Sequence, residues 1–151
     1  MKSWNSLQPL GLLLLRVAVG VIFVYHGYPK LLRQGAGMQG FFAQHGLPGY
    51  FVYVSGILEL FGGGMLILGL FARVAGLLLA VEMAVAIWKV HSGGGITAVH
   101  NYEFPLAMGV ASFAIATVGA GMISLDWPLM ESGGNRSRAA KLTKGKWTGT
   151  K

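Results

Sequence analysis

The chain has 151 residues and a mass of 16.0 kDa, and 54% of it is hydrophobic while only 11% is charged. Soluble domains carry about 25% charged residues, so this composition excludes both a soluble globular enzyme and a disordered chain. With no cysteine, the chain itself can make no disulfide, thiol redox centre, iron–sulfur site or cysteine zinc site.

Four apolar segments follow one another, at about 10–28, 50–70, 74–90 and 104–125. Each is long enough to cross a hydrocarbon core of about 30 Å as a helix. None shows strand alternation, so the expected fold is all-α: a four-helix transmembrane bundle, read as two parallel helical hairpins. The first segment is read as a retained helix, since Arg16 interrupts it and it runs on past the length of a signal h-region. Pro29 is expected to break its end. Between the first two spans, residues 38–43 (Met-Gln-Gly-Phe-Phe-Ala) suggest a short helix lying on the outer surface. The glycine run Gly93-Gly94-Gly95 joins spans three and four as a linker or lid.

The net charge of +7 is a topology signal. With four spans, Lys2, Arg73 and the tail residues Arg136, Arg138, Lys141, Lys144, Lys146 and Lys151 share one side, against Lys30, Arg33 and Lys89 on the other. This excess places both termini in the cytoplasm. Trp4 and Trp127 then fall near the inner interface, Trp88 and all five tyrosines near the outer one. The expected organisation is a cytoplasmic N-terminus at 1–9, a membrane domain at 10–125 and a basic, disordered tail at 126–151. That tail touches anionic lipid and is no nucleic-acid domain.

Arg16, Glu59 and Glu82 lie about half-way through their spans. An ionised side chain there costs about 2.5–3.5 kcal/mol, so three unpaired ones would cost roughly 8–10 kcal/mol. They are expected to face the bundle interior, with Arg16 holding Glu59 or Glu82 in a bidentate pair. The second carboxylate is then free to carry a proton. Two readings follow: a ligand or proton site, or buried links that only fix the helices.

A second polar set lies toward the outer face. His26 and Lys30 are four residues apart, and with His91 and Glu103 they are expected to line an outer mouth. Glu103 also suits the start of the fourth helix. No metal-ligand spacing is present, so no metal site is expected. Gly20, Gly63, Gly119 and Gly121 are read as close-packing positions on helix faces. Gly63 lies one turn from Glu59 and lets a backbone or ligand approach it. A shift of 65 positions aligns His26 with His91; the similarity is read as the ordinary use of glycine in membrane helices.

Taken together, Leu15-Arg16, Gly20 and Phe23, His26-Gly27-Tyr28-Pro29-Lys30, Leu58-Glu59-Leu60-Phe61-Gly62-Gly63-Gly64, Glu82 with His91, Tyr102-Glu103-Phe104-Pro105 and Ser124-Leu125-Asp126 resemble the DoxX family of small bacterial four-helix membrane proteins. The resemblance covers about 12–126. It implies links to membrane redox systems: thiosulfate:quinone oxidoreduction, quinone and catechol stress, and assemblies with superoxide-detoxifying and thiol partners. On that basis the chain is expected to be an accessory subunit of a membrane oxidoreductase, with a quinone as candidate ligand, no covalently bound cofactor, protein partners and room for a homo-oligomer. It carries no catalytic motif of its own, so a partner or the bound quinone would supply the redox centre. A non-catalytic scaffold and a small transporter remain as alternatives.

Overall fold

The computed structural model describes residues 7–91, 95 and 97–126. Five helices lie wholly within the described residues, in order α1 (Gln8–Leu32), α2 (Gly35–Gln44), α3 (Phe51–Leu68), α4 (Ala72–Lys89) and α5 (Val99–Val118). The described residues contain no strand. Lys2, Trp4, Trp127, the basic tail and most of the glycine linker lie outside the described residues.

Among the described residues, two helices, α1 and α3, are long and apolar enough to cross a membrane. The 18 residues of α4 include Arg73, Glu82 and Lys89, and α5 begins with the polar turn His100-Asn101-Tyr102-Glu103, which lowers the apolarity of both.

The helices pair as α1 with α3 and α4 with α5, and these two hairpins pack together chiefly through α3 and α4. Glycine sets the first pairing. A Cβ on Gly20 would sit 2.6 Å from the Gly63 carbonyl oxygen, and one on Gly27 would sit 2.5 Å from the Leu60 nitrogen. Two backbones therefore touch along a line where any side chain would separate them. In the second hairpin Gly76 lies against the Ser112 carbonyl in the same way. Between the hairpins, Val19, Phe23, Leu66, Leu79, Met83, Met108 and Ile115 form the apolar core.

Three expectations change. Pro29 does not end α1; the helix runs through it to Leu32, and the Pro29 carbonyl accepts from the Arg33 and Gln34 N–H groups. The helix expected at 104–125 is shifted toward the N-terminus and spans Val99–Val118. Gly119 and Gly121 consequently lie beyond it, with φ of +96° and +77°. They turn the chain instead of packing a helix face, a task the left-handed region reserves for glycine. The short helix expected near 38–43 is α2.

Candidate functional site

Two groups of charged residues lie toward opposite ends of α1. The first involves Arg16, which is 1% exposed. Its guanidinium donates to the Ala120 and Ile123 carbonyls at 2.5 and 2.7 Å. The carboxylate acting on it electrostatically belongs to Asp126. The expected pair with Glu59 or Glu82 is not made. Gly69, where α3 ends, lies beside the guanidinium, ten residues from Glu59 and so about 15 Å away along the helix axis.

Around Arg16 the chain after α5 folds onto the α3–α4 turn. The Asp126 carboxylate accepts from the Phe71 and Ala72 N–H groups at 2.8 and 3.0 Å. It thereby caps the start of α4 from 54 residues away, satisfying donors a helix leaves open. Leu125 and Asp126 N–H groups donate back to the Leu68 and Gly69 carbonyls. Arg73 donates to the Thr117 and Val118 carbonyls at 3.0 and 3.2 Å, closing the end of α5. Every charge in this group is bound to backbone.

The second group spans three helices near the other end. Lys30 of α1 lies 2.7 Å from Glu59 of α3, with side chains 16% and 5% exposed. Lys30 Nζ also donates to Ser55 Oγ at 2.8 Å. Ser55 Oγ in turn donates to Glu82 Oε1 of α4 at 2.6 Å. Glu82 Oε2 is buried without a hydrogen-bond partner among the described residues. The two carboxylates thus share one lysine, directly for Glu59 and through a hydroxyl for Glu82.

Sequence reasoning placed Lys30 at a mouth and missed Ser55 altogether. Their signal was present: Ser55 and Glu59 are one turn apart on α3, so both face the same neighbour.

Lys30 is also part of the wall of a groove of about 720 Å³ along α1. Val21, Val24 and Ile67 make its apolar stretch, and His26, Lys30 and Arg33 line it with basic side chains. His26 Nδ1 is 2.9 Å from the Ile22 carbonyl, and its ring lies 5.6 Å from that of Phe104 on α5. Glu59 and Glu82 stand behind Lys30 and do not line the groove. Of the other expected mouth residues, half-buried His91 has Nδ1 3.0 Å from the Ala86 carbonyl, and Glu103 forms an exposed pair with His100 at 3.2 Å. Neither lines the groove. Among the described residues, no group of three His, Cys, Asp or Glu side chains could hold a metal ion.

The site can therefore offer a basic, hydrogen-bonding wall beside an apolar one, backed by two carboxylates. Known relatives share this sequence. A Bacillus subtilis protein named "Putative oxidoreductase CatD" is 36% identical over 125 residues, covering 81% of this chain and 89% of that protein. An uncharacterized protein from Haemophilus influenzae is 37% identical over 109 residues, covering 72% of this chain and 77% of that one. No solved structure matches. The DoxX family profile matches residues 11–92, more than half of the chain and the stretch that contains Arg16, Lys30, Ser55, Glu59 and Glu82; the chain belongs to the DoxX family.

Proposed function

We propose that this chain is a four-span inner-membrane subunit of a quinone-linked redox complex and binds a quinone-like ligand in the groove beside Lys30. The observation that carries the reading is the groove itself. An apolar stretch of Val21, Val24 and Ile67 suits a prenyl or alkyl chain, and donors on His26 and Lys30 suit the ring oxygens. Small-molecule sites are mostly apolar with a few convergent polar groups, which is this pattern. The membrane setting has separate support. Large apolar side chains face outward on all four long helices, among them Leu14, Val21, Phe61, Val81, Val110 and Phe113. A water-soluble helix would expose its polar face instead. The name of the Bacillus subtilis relative supports an oxidoreductase-associated role. Both termini are assigned to the cytoplasm on the distribution of lysine and arginine.

In this reading Glu59 and Glu82 belong to the site through Lys30, and Arg16 does not. Glu59 fixes the lysine on the groove wall; Glu82 adds a second acceptor behind it. The test is equilibrium binding of decylubiquinone to the full chain in lipid nanodiscs. Lys30→Met is expected to weaken binding at least about tenfold, equivalent to about 1.4 kcal/mol. Glu59→Gln and Glu82→Gln are expected to weaken it as well while the protein accumulates normally. Parent-like affinity in Lys30→Met would overturn the groove as the site. Native pull-down from detergent-extracted membranes tests for the redox partner.

A further inference from the structure

The groove and Glu82 are on different helices, yet a continuous set of hydrogen bonds joins them. Lys30 Nζ to Ser55 Oγ is 2.8 Å and Ser55 Oγ to Glu82 Oε1 is 2.6 Å, both within the range for proton-sharing contacts. The directions agree along the whole chain, with the ammonium donating to the hydroxyl and the hydroxyl donating to the carboxylate. A serine hydroxyl is both donor and acceptor, so it can pass one proton on as it takes another.

We propose that Ser55 relays protons between Lys30 on the groove wall and Glu82 inside the bundle. In the forward step an N–H bond of the Lys30 ammonium breaks as an O–H bond forms at Ser55 Oγ. The original Ser55 proton moves at the same time to Glu82 Oε1. The ion pair becomes a neutral amine and a neutral carboxylic acid, with the hydroxyl restored and no electron transferred. Lys30 then regains a proton from hydronium in the groove, leaving water, or from the hydroxyl of a reduced ligand, leaving its conjugate base. The reverse sequence empties Glu82 toward the groove. Glu59 forms an ion pair with the same ammonium at 2.7 Å and holds it in place. Glu59 and Lys30 are the charged groups that act on Glu82, and His26 acts in turn on Glu59. Coupling of this relay to a ligand rests on the groove reading above; the relay alone does not.

The test needs no ligand. The full chain in lipid nanodiscs is followed by infrared spectroscopy at a pH where the carbonyl stretch of protonated Glu82 is present, assigned by its loss in Glu82→Gln. On transfer to D2O the band shifts as the carboxyl proton exchanges. The parent is expected to exchange within mixing, Ser55→Ala at least about tenfold more slowly, and Ser55→Thr, which keeps the hydroxyl, like the parent. Parent-like exchange in Ser55→Ala overturns the relay, as does exchange in Ser55→Thr as slow as in Ser55→Ala. Absence of a Glu82 band at every pH overturns it too. A parent that exchanges through Ser55 but binds no decylubiquinone supports the relay and overturns only the groove reading.

Discussion

The two ends of α1 use buried charge in opposite ways. At the Arg16 end, every ionic group closes on backbone: Arg16 on the Ala120 and Ile123 carbonyls, Arg73 on those of Thr117 and Val118, Asp126 on the Phe71 and Ala72 N–H groups. Backbone groups do not titrate, so these charges have nothing to exchange and serve to lock a turn. At the Lys30 end, ionic side chains close on one another and on a hydroxyl. Each partner there can change its proton, and one of them faces a groove. Clasp and site are thus told apart by what the charge is bonded to, and not by how deeply it is buried.

Removing Arg16 should break this contrast most strongly. Arg16→Met leaves the Ala120 and Ile123 carbonyls without charge-assisted donors, each bond being worth about 1.5–3 kcal/mol. The expected loss is about 3–5 kcal/mol, read as a fall in thermal midpoint and in the yield of folded protein from the membrane. Whatever folds should bind decylubiquinone with parent-like affinity. Parallel loss of binding in the folded fraction would mean that the two ends are one site.

The glycine contacts sharpen the contrast at the next size of effect. Gly20→Ala and Gly27→Ala each drive a methyl into backbone, at 2.6 Å from the Gly63 oxygen and 2.5 Å from the Leu60 nitrogen. Overpacking of this kind costs about 1–3 kcal/mol, so both should lower thermal stability to a similar degree. Their binding phenotypes should differ. The Gly27 methyl also meets Glu59 Cβ at 2.9 Å and should pull that carboxylate off Lys30, whereas Gly20 lies farther from the cluster. Weakened quinone binding is expected in Gly27→Ala and not in Gly20→Ala.

How much of this was legible beforehand depends on what the sequence encodes locally. Among the described residues, apolar length made the four long helices visible, and the connection between the first two was long enough to hold the short one. The end of α5 was not, because Gly119–Leu125 is as apolar as the helix before it. Only the positive φ at Gly119 and Gly121 and the Asp126 cap show that the chain has turned. The pairing of charges was hidden for another reason. Mid-span positions on three helices look alike until their register is known. That register was written in the glycines: Gly20 and Gly27 are seven apart, as are Gly56 and Gly63. Antiparallel contact of the two spacings sets Arg16 opposite Ile67, within a turn of Gly69, and Lys30 opposite Tyr53, within a turn of Ser55. Ser55 escaped notice because a lone hydroxyl in an apolar span carries no signal until a lysine is placed against it.

Asp126 gives a smaller effect that separates charge from shape. Asp126→Asn keeps the side-chain oxygen that caps α4 but loses the second acceptor and the charge favoured at a helix N-terminus. A loss of about 1 kcal/mol is expected, with Asp126→Ala larger, measured as the shift in thermal midpoint. Neither should alter quinone affinity.

Glu103 tests the lower bound of the same idea. It is a carboxylate close in sequence to Tyr102 and Phe104, and the sequence places it at the mouth with His26 and Lys30. Its only ion pair among the described residues is with His100, one turn away, and both side chains are mostly exposed, at 60% and 93%. Exposed pairs contribute little because water and salt screen them. They also leave each partner free to be solvated when the other is removed, which a buried pair cannot do. Glu103→Gln is therefore expected to change stability by less than about 0.5 kcal/mol and to bind decylubiquinone like the parent. A tenfold loss of affinity in Glu103→Gln would show that the outer charges act on the groove at a distance, and that the bonding partner of a charge is not what marks the site.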